Sequence, residues 1–254
     1  MKKLALFLAL AALATSAAAK DWSVIRLGTD ASYPPFESKS ASGQLVGFDI
    51  DLANELCKRM DAKCVWVPTE FDSMVPALKA KKFDAVMSAY SITPEREAQI
   101  AFSERLYGTP TRLVARKGSP LVPTLDSLKG KTIGVEQGSI QESFAKAEWA
   151  PKGVNVVSYA DQDQVYADLI SGRLDAALQD AVQADVGFLK TPRGAGFAYA
   201  GAALTSAEAA GNGAGIGMRK EDADLKAKFD TAITGMIKDG TYKKIESKYF
   251  DYDL

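Results

Sequence analysis

Apolar positions along the chain alternate between short runs and the three-to-four spacing of an amphipathic helix. Ser23 to Thr29 reads as a strand, Cys64 to Pro68 as a short strand and Phe83 to Ala89 as a buried one. Between them, Phe48 to Met60 carries apolar residues at helical spacing, with Asp49 and Asp51 near its N-terminus, and Phe71 to Ala80 reads as a second helix. Asp30-Ala-Ser-Tyr-Pro-Pro-Phe36 is a turn-rich loop, because two prolines forbid regular structure. Thr93-Pro94-Glu95-Arg96 starts a helix: threonine caps, proline suits the first helical position and glutamate the first turn. The second half repeats the style. Lys131 to Val135, Val154 to Tyr159 and Leu174 to Leu178 read as strands, and Ser139 to Lys146 and Gln164 to Ser171 as helices. Such alternation predicts an α/β protein with mainly parallel sheets flanked by helices.

Two segments echo each other. Leu78-Lys-Ala-Lys-Lys-Phe-Asp84-Ala and Leu169-Ile-Ser-Gly-Arg-Leu-Asp175-Ala share the pattern Leu-x-x-x-basic-apolar-Asp-Ala before an apolar strand. Leu27-Gly-Thr-Asp30 and Ile133-Gly-Val-Glu136 are strands that each end on an acidic residue. Two echoes in the same order predict two related α/β lobes. Parallel sheets bind ligands beyond the carboxyl ends of their strands. Facing lobes would therefore bring Asp30, Ser88 to Ser91, Glu136 and Asp180 to one cleft.

The first residues stand apart from this pattern. Lys2 and Lys3, the apolar run Leu4 to Leu13 and the small residues ending at Ala19 have the three-part layout of a cleavable secretory signal, here assigned to residues 1–19. The apolar run is short for a membrane span. Its removal leaves 29 basic and 32 acidic residues, so a strongly basic nucleic-acid binder is excluded. The chain has no histidine, which excludes Ser-His-Asp and Cys-His machinery and imidazole-ligated metals. Two cysteines cannot build a structural zinc site, and neither a metal nor a cofactor is expected. Cys57 and Cys64 lie seven positions apart, and in an exported chain a bridge is favoured over two buried free thiols.

Such a composition leans toward binding and away from most hydrolytic chemistry, and the residues suit a zwitterionic amino acid. A ligand carboxylate wants a guanidinium and free N–H groups at a helix start. Arg96 lies in the first turn after the Thr93-Pro94 cap, where a cation opposes the helix dipole, beside Ser91. Ser139 and Glu142 have the spacing of a capping box, which by itself explains them, but the box follows the strand ending at Glu136. Asp180 closes the repeated strand and would pair with an ammonium group. Tyr33 and Phe71 are aromatics in or beside probable loops that could sandwich a side-chain stem.

Several stretches carry a family resemblance over essentially the whole exported chain. They are Gly28-Thr-Asp-Ala-Ser-Tyr-Pro-Pro-Phe36, Gly47-Phe-Asp-Ile-Asp-Leu52, Cys57-Lys-Arg-Met-Asp-Ala-Lys-Cys64 and Ser91-Ile-Thr-Pro-Glu-Arg96. Gly134-Val-Glu-Gln-Gly-Ser139, Gly172-Arg-Leu-Asp-Ala-Ala-Leu-Gln-Asp180 and the ending Asp239-Gly-Thr-Tyr…Lys248-Tyr-Phe250 continue them. The chain resembles the periplasmic amino-acid-binding proteins of ABC importers, most nearly the lysine/arginine/ornithine-binding and histidine-binding branches. The resemblance implies a two-lobed type II fold joined by two hinge crossovers. Lobe 1 would comprise 20–107 and 214–254, and lobe 2 would comprise 112–204. It implies that Arg96 holds the ligand carboxylate with Ser91 and the Ser139–Ile140 region, and that Asp180 holds the amine with Ser88 nearby. Asp30 would meet a cationic side chain, Tyr33 and Phe71 would flank its stem, and Gln141 would line the far lobe. The cysteine pair matches the family's disulfide.

There are departures. Ala89 stands where a second serine is common, Glu136 where an apolar residue is, and Ala209-Ala-Gly-Asn212-Gly replaces a more aromatic, acidic segment. The expectation is a monomeric periplasmic protein that hands a basic amino acid to an inner-membrane permease complex. A dehydratase-like enzyme using Glu136 or Asp30, and a sensor presenting ligand to a receptor, are the rival readings.

Overall fold

The computed structural model describes residues 20–254; the expected signal segment lies outside them. Two five-stranded sheets organise the chain. The first runs Lys63–Pro68, Val24–Thr29, Ala85–Val86, Gly217–Met218, Ala101–Phe102, and the second runs Asn155–Tyr159, Thr132–Glu136, Ala176–Asp180, Thr111–Arg116, Phe197–Tyr199. In each, the first three strands are parallel and the fourth position is taken by a strand antiparallel to both neighbours. The two sheets thus share one strand order.

The sequence echo is a structural equivalence. Leu27 pairs with Ala85 in the first sheet as Ile133 pairs with Ala176 in the second. The aspartate of each repeat clamps the start of the neighbouring strand: Arg26 N donates to Asp84 Oδ2 at 3.0 Å, and Thr132 N to Asp175 Oδ2 at 2.8 Å. The glycine of each repeat is needed for packing. A Cβ on Gly28 would sit 2.6 Å from the Phe83 ring, and one on Gly134 would sit 2.4 Å from Leu174. The apolar residue before each repeated aspartate therefore fills the space its partner glycine leaves.

Several elements differ from their expected extent. Of Phe83 to Ala89 only Ala85–Val86 is strand, since Ala89 adopts φ 45 and leaves the ladder. Phe71–Ser73 is a tight turn before the helix Met74–Lys79, with Pro76 in the first turn, where a missing N–H costs nothing. The helix at Ser139 runs Ile140–Phe144 and widens over Ala145–Trp149. The helix expected from Gln164 starts at Gln162, because the Asp161 side chain accepts Gln164 N at 2.9 Å. The last repeated strand spans Ala176–Asp180 and carries Asp180 at its end. The Asp30–Phe36 loop holds a short strand, Ser32–Tyr33, that pairs with Glu37–Lys39.

Each sheet is covered on both faces. Phe48–Arg59 and Ala223–Lys238 enclose one apolar layer of the first sheet with Leu52, Leu56, Phe229 and Ile233 fully buried. Cys57 and Cys64 are bridged, with Cα atoms 5.9 Å apart, tying that helix to the edge strand. The chain crosses between sheets twice. The crossovers pair with each other: Ala214 N donates to Tyr107 O at 2.8 Å and Leu204 N to Thr111 O at 2.9 Å.

Candidate functional site

The carboxyl ends of the central strands from both sheets open onto one cavity. Nine of the twelve expected ligand residues line it: Tyr33, Phe71, Ala89, Ser91, Glu136, Ser139, Ile140, Gln141 and Asp180. Thr109, Ala210, Gly213 and Ala214, from the two crossovers, complete the wall. The other three expected residues sit around it. Ser88 lies beneath, Asp30 lines an open groove with Glu70 and Asp161, and Arg96 lines a groove at the lobe boundary with Tyr90 and Gly138.

Arg96 is held by the helix start that the sequence indicates. The Thr93 side chain accepts Arg96 N at 3.2 Å, fixing the first turn. The guanidinium stacks 3.9 Å from the Tyr90 ring centre and donates to Ser91 O at 2.7 Å and Gly138 O at 2.9 Å. The second of these bonds reaches the other lobe. Arg96 is buried and no carboxylate oxygen lies within ion-pair distance of it among the described residues. Burial pushes its proton affinity below the ordinary guanidinium range.

The acidic residues show the complementary imbalance. Asp180 accepts the Thr109 hydroxyl and, at 2.9 Å, Gln183 N, yet burial raises its carboxyl to about 6. Glu136 is 4 % exposed and its Oε1 has no hydrogen-bond partner among the described residues. Burial, with Asp30 and Asp161 adding repulsion, holds it well above the usual carboxyl range. Asp30 is raised by burial even though Ser32 N and the Ser32 hydroxyl donate to its Oδ1 at 2.9 and 2.6 Å. Gln141 is oriented by its amide, which donates to Thr111 Oγ1 at 2.9 Å. Ser139 caps its helix by accepting Glu142 N at 3.0 Å, while Glu142 reaches back to Gly138 N rather than to the cap residue itself.

Three important groups were not marked by the sequence pattern. Thr109 is the hydroxyl donor to Asp180. Asp49, which reads as an ordinary first-turn acid, accepts Ala89 N at 2.8 Å and the Tyr107 hydroxyl at 2.6 Å. It thereby pins Ala89 in its left-handed conformation and joins the cavity wall to a crossover. Glu37 accepts the Ser88 hydroxyl at 2.9 Å, and Ser88 in turn accepts Asp30 N at 2.8 Å. Burial raises Asp49 to about 6 and Glu37 well above its ordinary range, with Asp49 adding repulsion to Glu37. Glu37 stands alone between Phe36 and Ser38 and Asp49 in an ordinary helix first turn, so neither is set apart by its neighbours in the sequence.

The cavity thus gathers the buried carboxyls of Glu136 and Asp180 and aromatic faces at Tyr33 and Phe71, the buried Arg96 guanidinium lies in the adjoining groove, and no group of three or more metal-ligating side chains occurs among the described residues. Buried acids without partners gain most from a counter-charge.

The comparisons agree with this geometry. A family model described as bacterial extracellular solute-binding proteins, family 3, matches residues 25–252. The chain is 54 % identical over 251 residues to the lysine/arginine/ornithine-binding periplasmic protein of Escherichia coli, covering 99 % of this chain and 96 % of that one. It is 51 % identical over 257 residues to the histidine-binding periplasmic protein of Salmonella typhimurium, covering 100 % and 99 %. Among solved structures, an ancestral arginine-binding protein bound to arginine superposes with a TM-score of 0.84 at 36 % identity, over 90 % of this chain and 98 % of that one. These relatives are binding proteins with the same two-lobed α/β architecture, and the chain belongs to the family 3 bacterial extracellular solute-binding proteins.

Proposed function

We propose that this chain is a periplasmic binding protein that captures a basic L-amino acid between its lobes and hands it to an ABC importer of the inner membrane. Lobe 1 comprises 20–107 and 214–254, lobe 2 comprises 112–204, and residues 1–19 direct export. The observation that carries the reading is the pair Glu136 and Asp180 at equivalent ends of the second sheet's strands: both are buried, neither has a cation, and Glu136 keeps an unpartnered oxygen. Asp180 takes the ligand ammonium, and Arg96 with the Ser91 and Ser139 side takes the carboxylate. Glu136, with Asp30 behind it, receives the side-chain cation, while Tyr33 and Phe71 hold the methylene stem. The relatives named for lysine, arginine, ornithine and histidine support the ligand class. The protein acts as a monomer and performs no turnover.

A thermal-shift screen against all common amino acids, followed by calorimetry, tests this. Arginine, lysine and ornithine should raise the melting temperature most, ahead of histidine and neutral residues. Tighter binding of glutamine or an acidic amino acid than of any cationic one would overturn the reading.

A further inference from the structure

The lobes also meet outside the ligand cavity, at a seam built from backbone. Gln137 and Gly138 form the turn after the second sheet's central strand, and Asp72 lies in the tight turn Phe71–Ser73 of the first lobe. Gln137 Nε2 donates to Asp72 Oδ2 at 2.7 Å, and Asp72 Oδ1 accepts the Ser73 hydroxyl at 3.2 Å. Next to it, a Cβ on Gly138 would stand 2.7 Å from Asp72 Cα and 3.2 Å from Asp72 N. Gly138 O is also the acceptor for Arg96 Nη2. A second approach of the same kind occurs at Gly187, where a Cβ would stand 3.2 Å from both Cγ and O of Pro34. In both places a glycine in lobe 2 lets its backbone come into contact with lobe 1, and neither Gln137, Asp72 nor Gly187 lines the cavity.

We propose that the Gln137–Gly138 turn is a closure latch that docks on Asp72 and sets ligand affinity by stabilising the closed arrangement, without touching the ligand. The inference rests on the reading of the chain as a two-lobed amino-acid-binding protein. A ligand's observed affinity is its intrinsic affinity reduced by the fraction of chain able to adopt the binding-competent state. Contacts present only when the lobes are closed therefore act on affinity for every ligand alike. A charge-assisted hydrogen bond of this kind, at a solvent-accessible edge, changes an equilibrium by a few-fold to about tenfold. Gly138 acts sterically: a methyl group cannot fit between the turn and the Asp72 backbone, so closure must stop short.

The test compares binding and shape in Gln137→Ala, Gln137→Glu, Gly138→Ala and Gly130→Ala. Gly130 has nearly the same positive φ as Gly138, +76 against +78, with nothing within 4 Å of an added Cβ, so its variant carries the backbone strain alone. Calorimetry with L-arginine should show about threefold to tenfold weaker binding for Gln137→Ala. Gly138→Ala should lose more than tenfold, and Gly130→Ala should stay within twofold of wild type. Gln137→Glu places like charges across the seam and should weaken binding further, an effect that added salt reduces. The double variant Gln137→Glu with Asp72→Asn reverses donor and acceptor and should recover most of the loss. X-ray scattering of the arginine-saturated proteins should give a larger radius of gyration for Gly138→Ala than for Gly130→Ala. Equal affinities and equal radii in Gln137→Ala, Gly138→Ala and wild type would overturn the latch. Absence of binding to any amino acid by wild type would instead overturn the functional reading. In that event, scattering of the unliganded variants would still judge the latch, with Gly138→Ala expected to be more open than Gly130→Ala and equality counting against it.

Discussion

On the proposed reading binding depends on two side chains, and removing them should have different consequences. Arg96 is fixed by the Thr93 cap, the Tyr90 ring and two carbonyls, so its geometry does not depend on a ligand. Arg96→Ala should leave the fold intact by circular dichroism. It should weaken arginine binding by at least a hundredfold in calorimetry, because breaking a buried ion pair costs about 3–5 kcal/mol. Near-normal affinity would remove Arg96 from the site. Glu136 has the opposite signature. Its unpartnered buried oxygen is a liability in the ligand-free chain, so Glu136→Gln should raise the ligand-free melting temperature by a few degrees while lowering arginine affinity tenfold or more. A structural carboxylate would lose stability on the same substitution. The placement of Glu136 was legible from its strand end and that of Arg96 from the Thr93-Pro94 helix start. The support beneath them was not: Asp49 and Glu37 reach Ala89 and Ser88 through side-chain bonds across 40 and 51 positions, and no local pattern encodes such a reach.

Among the elements, those built from local contacts were the legible ones. The echo between Leu27-Gly and Ile133-Gly is a packing rule, glycine opposite Phe83 or Leu174, and it belongs to the two central strands that carry the site. Gly134→Ala should consequently destabilise the second lobe by about 1–3 kcal/mol through overpacking against Leu174, measured as a lower urea midpoint with an unchanged slope. Gly130→Ala, at an open turn, should cost only about 1 kcal/mol for its backbone conformation. A Gly134→Ala variant no less stable than Gly130→Ala would mean that the repeat is sequence history without a packing role. The antiparallel strands Gly217–Met218 and Thr111–Arg116 escaped the sequence reading for a physical reason. The first is two residues long, and each takes its place in a sheet from crossover pairing such as Tyr107 with Ala214 and Thr111 with Leu204. The strand Phe83–Ala89 was read too long because its apolar run continues past the point where Asp49 draws Ala89 out of the ladder.

At the scale of the molecule, the first lobe contributes the carboxyls of Asp30, Glu37 and Asp49 and the second those of Glu136 and Asp180. All five are buried, and all five carboxyls are raised. One buried guanidinium cannot balance them. On the proposed reading, an apolar ligand would leave that repulsion in place, whereas a cationic one would relieve it. The pH dependence follows with a definite sign. Asp180 and Asp49 are raised from 3.8 to about 6, so the ligand-free folded chain holds protons that the unfolded chain has released. The stability this contributes is complete below about pH 4 and is lost as pH rises through about 6. Lowering the pH from 7 to 5 should therefore raise the ligand-free melting temperature. The lowered carboxyls, such as Asp84 and Glu142, act only at more acidic pH. On the proposed reading ligand binding should respond the other way, since a protonated Asp180 forms no ion pair with an ammonium group. Arginine affinity should fall progressively as pH drops below about 6. Asp180→Asn should bind more weakly throughout and with a flatter profile. The chain contains no histidine, so a midpoint near 6 has no imidazole to explain it and falls to the buried carboxyls. Calorimetry from pH 5 to 8 in wild type and Asp180→Asn decides the matter: an affinity that is flat or rises toward pH 5 in wild type would show that the ligand ammonium does not rest on Asp180.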